Sequence, residues 1–144
     1  MVPPSRASIL AEAREWIGTP YHHKGRVKRV GVDCGGLLYC VYGKFFNLKP
    51  FPTDYPADWA CHNADDGRYL DFIAEYVTPS KVPTPGGVAV FRWGVAYSHG
   101  AICTERATFI HAFGRTAFGT VKEDSIRAFH GVPVKYFDLK VPLL

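Results

Sequence analysis

Tyr97-Ser98-His99-Gly100-Ala101-Ile102-Cys103-Thr104-Glu105-Arg106-Ala107-Thr108-Phe109-Ile110-His111-Ala112 reads as two β-strands joined by a short turn. Gly100–Thr104 and Ala107–Ala112 carry the apolar and β-branched residues of strands, and Glu105-Arg106 interrupts them as a turn. Folding about a centre near residue 105 makes His99 and His111 partners across the ladder. Opposed side chains on one face lie within about 5.5 Å at Cβ, which brings the two imidazoles into reach of each other. The other reading is two unrelated core or surface histidines.

Upstream of the hairpin, Val88–Trp93 reads as a third strand; downstream, short strands are expected near Thr120–Lys122 and Val134–Phe137. The first half of the chain has helical spacing instead. Ser5 or Ser8 caps a helix with Ile9, Leu10, Ala13, Trp16 and Ile17 on one face, and Gly18 and Pro20 end it. A second helix starts at Asp33-Cys34 and runs to about Phe46; a third is expected from Asp65 to Val77. Between them lie a loop from Thr19 to Val32, an irregular proline-punctuated stretch at 47–58, and a connecting loop from Thr78 to Gly87. Helices first and strands afterwards argue for an α+β fold, N-terminal helices packed on a C-terminal antiparallel β-sheet. The 144 residues fit one domain, 1–144, large enough to bury a core without staples.

Composition excludes several classes. With 47% hydrophobic and 15% aromatic residues the chain is not globally disordered, and its 14 glycines follow no collagen period. No run approaches the ~18 apolar residues of a membrane span. Met1-Val2-Pro3-Pro4-Ser5-Arg6 does not open a secretory signal peptide. The expected location is therefore the cytoplasm, or outside by a route other than general secretion. The net charge of +4 is concentrated in His22-His23-Lys24-Gly25-Arg26-Val27-Lys28-Arg29. That run reads as a solvated loop, a nucleic-acid contact or a basic rim for an anionic substrate; without a reading helix or aromatic platform, nucleic acid ranks last.

Of the four cysteines, Cys34 stands apart. At the first turn of a helix it meets unpaired backbone N–H groups and the positive end of the helix dipole. Both favour the thiolate, and the same N–H groups suit an oxyanion formed when sulfur attacks a carbonyl. Asp33 beside it reads equally as an N-cap. Gly35 and Gly36 in that first turn cost helix stability, which signals a close approach of something to the backbone. Cys40 and Cys103 read as core, and Cys61 is open. With no C-x-x-C pair a zinc ribbon is not expected, and zinc on Cys34, His99 and His111 would need an open fourth position and outer support. No metal and no cofactor is expected.

Four motifs in order, Gly18-Thr19-Pro20-Tyr21, Asp33-Cys34-Gly35-Gly36-Leu37, Ser98-His99-Gly100 and Phe109-Ile110-His111-Ala112, resemble the NlpC-type cell-wall cysteine peptidases. The resemblance runs from Arg14 to about Phe137, and its wording is similar to a subgroup found in phage tails and prophages. It implies a papain-like fold and hydrolysis of peptidoglycan stem peptides, at the γ-D-glutamyl to meso-diaminopimelate bond. It implies Cys34 as nucleophile, His99 as base, His111 as the group orienting His99, and Tyr21 lining the site. It further implies that Asp33 and Gly35 help hold a free L-alanine amine. Gly35 stands where the family commonly has serine, and Gly87 where it often has aspartate. The implied partners are stem peptides and phage tail proteins or a secretion apparatus, and the implied location is a virion tail or export by a non-classical route. The alternatives are a tail-assembly protein that retains the fold without catalysis, and an acyltransferase or deamidase on the same scaffold.

Overall fold

A computed structural model describes residues 4–51, 68–94, 96–114 and 119–140. Most of the proline-punctuated stretch, Cys61, His62 and the start of the third expected helix lie outside the described residues. Helix α1 spans Arg6–Glu15 and is capped by Ser5 in a reciprocal box with Ser8: each hydroxyl accepts from the other residue's backbone N–H. Ile9, Leu10, Ala13 and Trp16 face the core as their spacing requires. Ile17 departs from the expected face and is 44% exposed, because Gly18 at φ +92° turns the chain away there.

The loop that follows contains a small antiparallel hairpin, β1 (Arg26–Val27) with β2 (Gly31–Val32). Strands of two residues carry no alternation to read in a sequence. Helix α2 spans Cys34–Gly43. Asp33 is its N-cap, with Oδ1 accepting from the Gly36 N–H at 2.8 Å, a contact worth about 1 kcal/mol. The helix stops three residues short of the expected Phe46, yet Phe45 still reaches the core.

Helix α3 covers Arg68–Ile73 and ends earlier than its apolar spacing suggested. Val77 is not on that helix: it opens β3 (Val77–Ser80) inside the expected connecting loop. Pro79 obscured this strand, but β3 sits at the sheet edge, where a missing N–H costs little. The remaining strands are β4 (Val88–Trp93), β5 (Ala96–Cys103), β6 (Thr108–Ala112), β7 (Val121–Ser125) and β8 (Val134–Leu139). They form one antiparallel sheet in the order β3-β8-β4-β5-β6-β7, so the last strand inserts between β3 and β4.

Alternation along the strands sorts the core into two layers. Val88, Val90, Ile102, Ile110, Ala112 and Val121 join Ile9, Leu37, Leu38 and Val41 on the helical side. Ala89, Phe91, Ala101, Cys103 and Phe109 form the other layer, closed by Phe129. Phe129 ends a 3₁₀ turn (Ile126–Phe129) that follows β7, and its ring stacks on Phe91 at 4.0 Å between centroids. Both sheet faces are thus covered at β4 and β5.

Candidate active site

Cys34 is the first residue of α2, and its neighbour across the fold is β5. Its thiol donates to the Ser98 carbonyl at 3.5 Å, while the N–H groups of Gly100, Gly35 and Cys34 itself address the sulfur. The sulfur therefore meets the β5 backbone on either side of His99. Two features of the sheet make this possible. The β5–β6 pairing runs through Ile102–Ile110 and Cys103–Phe109, short of Ser98–Gly100. And β5 is bulged: Phe91 pairs with His99 but Arg92 pairs with Tyr97, which leaves Ser98 as the extra residue. A bulge re-aims the side chains around it.

His99 and His111 are in direct contact, Nε2 of His99 to Nδ1 of His111 at 2.8 Å, with ring planes nearly perpendicular. The register differs from expectation. The hairpin pairs Ile102 with Ile110, so its centre is residue 106, and continuing that register sets His111 opposite Ala101. The histidine contact is diagonal. The difference moves the pairing by two residues in total, which keeps both histidines on one face, and aromatic side chains span a diagonal. The hairpin closes through Ala107 at φ +58°, the left-handed residue of a three-residue loop, where Gly or Asn would have signalled the turn.

Beyond His111 the sequence reading missed a residue. His111 Nε2 lies 2.7 Å from Asp124 Oδ2 on β7, again a diagonal contact, since His111 pairs with Lys122. Nothing in Val121-Lys122-Glu123-Asp124-Ser125 separates Asp124 from Glu123 until the register is known. His99 and His111 are buried, packed by Trp93 over His99 at 4.3 Å and Phe129 against His111 at 4.9 Å.

The electrostatics of the sulfur run against the sequence expectation of a stabilised thiolate. Cys34 is partly exposed as a residue, but its sulfur is enclosed, and this burial together with the Asp33 charge pushes the thiol up to about 12. The three backbone N–H groups pull the other way without prevailing. Burial also lowers the pKa of His111, against the raising effect of Asp124, so a neutral imidazole is favoured there.

The remaining expected site residues fall around this centre. Tyr21 bridges to Val32, immediately before Asp33-Cys34, and its ring packs on Gly114. Asp33 is 2% exposed; Oδ1 also receives Arg26 Nη1 at 3.2 Å and Oδ2 the Lys24 N–H at 2.8 Å. Gly35 lies under Phe51, whose Cζ would sit 2.8 Å from a Cβ added there. Arg26 in turn covers the Phe51 ring at 5.3 Å. Behind Gly35 is an apolar cavity of about 150 Å³, lined by Leu38, Tyr39, Phe51, Phe72 and Tyr76. Among the described residues no cluster of His, Cys, Asp and Glu has the arrangement of a metal site, and no helix is long and apolar enough to cross a membrane.

No protein-family model matches the sequence, and none of the curated proteins does. Solved structures do. The NlpC/p60 domain of the peptidoglycan hydrolase SagA superposes with a TM-score of 0.61 at 22% identity, over 92% of this chain and 97% of that one. A protein described as similar to a lipoprotein of the NLP/P60 family, from Staphylococcus aureus subsp. aureus Mu50, gives a TM-score of 0.53 at 19% identity. That alignment covers 94% of this chain but 43% of the other. At these identities the likeness is one of fold, and the chain has the α+β fold of an NlpC/p60 domain.

Proposed function

We propose that the chain is a cysteine peptidase that hydrolyses amide bonds in peptidoglycan stem peptides. The observation that carries this reading is the placement of the Cys34 sulfur against Ser98 and Gly100, the two neighbours of a histidine that is itself hydrogen-bonded to a second histidine. A nucleophile, a base and a group that orients the base are what acyl transfer needs.

In this reading His99 Nε2 is committed to His111, and Nδ1 takes the proton of Cys34 as the sulfur attacks the substrate carbonyl. The raised thiol pKa makes proton transfer part of the attack rather than a step completed beforehand. Backbone N–H groups at the start of α2 hold the oxyanion. The His99 imidazolium then protonates the leaving amine, and a water activated by neutral His99 releases the acid from the thioester. Tyr21 lines the site beside Val32. Asp33 acts as cap and anchor of the loop, since its carboxylate is already engaged by Gly36, Lys24 and Arg26.

The γ-D-glutamyl to meso-diaminopimelate bond is the proposed point of cleavage, and a phage tail or an exported antibacterial effector the proposed setting. Both come from the motif resemblance, with the fold likeness to NlpC/p60 domains in support. The test is mass spectrometry of purified muropeptides incubated with the wild-type protein and with Cys34→Ala. A fragment made only by the wild type is expected, and its mass names the bond. Intact muropeptides in both samples would overturn the reading.

A further inference from the structure

Asp124 gives the two histidines a direction. An ionised carboxylate can only accept a hydrogen bond, so the 2.7 Å contact requires that His111 carry its proton on Nε2. Lys122, directly opposite His111 on β7, offers only donors, and its ammonium sits over the Phe113 ring at 5.1 Å. His111 is 1% exposed, walled by Phe129 and Phe113. Neutral with the proton on Nε2, His111 has a lone pair on Nδ1. The 2.8 Å contact to His99 then requires a proton on His99 Nε2, and His99 keeps its lone pair on Nδ1. The polarity of the chain is fixed from the β7 end, and the geometry repeats: from β5 to β6 to β7 each contact is a diagonal one on the same face of the sheet.

We propose that Asp124 is a positioning residue that, acting through His111, keeps the proton of His99 on Nε2 and so leaves Nδ1 as the atom that accepts the proton of Cys34. This rests on the reading of Cys34 and His99 as nucleophile and base. Reversing the chain would place a proton on Nδ1, and His99 would have no lone pair for the thiol.

The experiment reads the tautomers directly, by ¹⁵N–¹H correlation spectra of imidazole-labelled protein near pH 8, for wild type, Asp124→Ala and Asp124→Asn. In the wild type both His99 and His111 are expected as Nε2–H tautomers. Asp124→Ala is expected to lose that uniform pattern, and its kcat on muropeptides to fall about ten- to a hundredfold with KM within twofold, the range seen for carboxylates that orient metal-bound histidines. Asp124→Asn keeps an acceptor oxygen and is expected to restore the Nε2–H pattern and part of the rate. Should the alanine variant not fold, the wild-type and asparagine spectra decide. An Nδ1–H tautomer at His111 in the wild type, or tautomers unchanged in Asp124→Ala whatever its rate, overturns the proposal. A wild type that cleaves no muropeptide counts against the peptidase reading alone, because the tautomer spectra test Asp124 without turnover.

Discussion

The Cys34 sulfur donates its hydrogen bond to the carbonyl of Ser98, and Ser98 is the extra residue of the β5 bulge. One irregularity thus serves two purposes: it presents a carbonyl that holds the thiol proton, and it sets the direction of the next side chain, His99. A regular ladder would pair that carbonyl within the sheet. The geometry describes a sulfur that is protonated and enclosed, with His99, the proposed base, one residue along the strand.

This arrangement predicts how Cys34 reacts. With burial and Asp33 pushing the thiol up to about 12, its alkylation by iodoacetamide at pH 7 is expected to be slower than that of free cysteine, rising steadily with pH through 9. Mass spectrometry of the Cys34 peptide against time gives the rate. A rate plateau reached below pH 6 would reveal a resting thiolate and refute the protonated site.

The second prediction concerns the basic loop, in which Arg26 and Lys28 are engaged by Asp33 and Glu12. Burial of Glu12, 5% exposed, works against its ionisation, but bonds from Lys28, Lys44 and Trp16 outweigh this and hold its carboxyl below the usual value. Lys28 and Lys44 each lie 2.8 Å from that carboxylate. Lys28→Glu removes one of the two cations on this buried carboxylate and sets a like charge beside it, so it is expected to cost about 2 kcal/mol in urea unfolding. The exposed Lys24 and Arg29 should tolerate reversal to Glu within about 0.5 kcal/mol. If these two read substrate carboxylates, their reversal raises KM at unchanged stability. Equal unfolding midpoints for Lys28→Glu and wild type would contradict the assignment of Lys28 to the fold.

The helix-then-strand order, the cap at Asp33, the close approach at the two glycines and the meeting of the histidines were legible from local pattern alone. What escaped the sequence is non-local. Asp124 becomes a neighbour of His111 only once β7 is in register, and the diagonal contacts depend on a turn closed by Ala107, which gives no turn signal. Val77–Ser80 hid behind Pro79, and the insertion of β8 beside β3 follows from pairings far apart in the chain. The engagement of Asp33 by Arg26 likewise needs the β1–β2 hairpin, too short to show any period.

A third prediction follows from the buried thiols. Cys103, 1% exposed in the sheet, is pushed up to about 12 by burial, and Cys34 and Cys40 shift in the same direction. Unfolded thiols titrate at about 8.5, so above that pH the unfolded chain binds fewer protons than the folded one. Stability must then fall as pH rises, by up to about 1.4 kcal/mol per pH unit for each thiol. Urea unfolding at pH 7.5, 8.5 and 9.5 should show the decline, and Cys103→Ala should make it shallower. A slope identical in the variant would mean that Cys103 ionises as readily folded as unfolded.

The two glycines at the start of α2 differ in what opposes a side chain, and this separates their variants. Helix propensity alone would favour alanine at either position by about 1 kcal/mol. At Gly36 an added Cβ meets the Gly25 carbonyl oxygen and Arg26 Nη1 at 2.6 Å and Asp33 Oδ1 at 2.9 Å. The first is backbone and the other two belong to the ion pair that ties the loop to the cap, so nothing there yields cheaply. Gly36→Ala is expected to lose about 2 kcal/mol net, in the range of overpacked cores. At Gly35 the obstacle is the rim of the Phe51 ring, at 2.8 Å. A side-chain end can swing aside, so Gly35→Ala should cost less, and in a Phe51→Leu background it should become stabilising. A double-mutant cycle on Gly35 and Phe51, read by denaturant unfolding, measures that coupling. Its absence would show that the Phe51 ring does not oppose a side chain at residue 35.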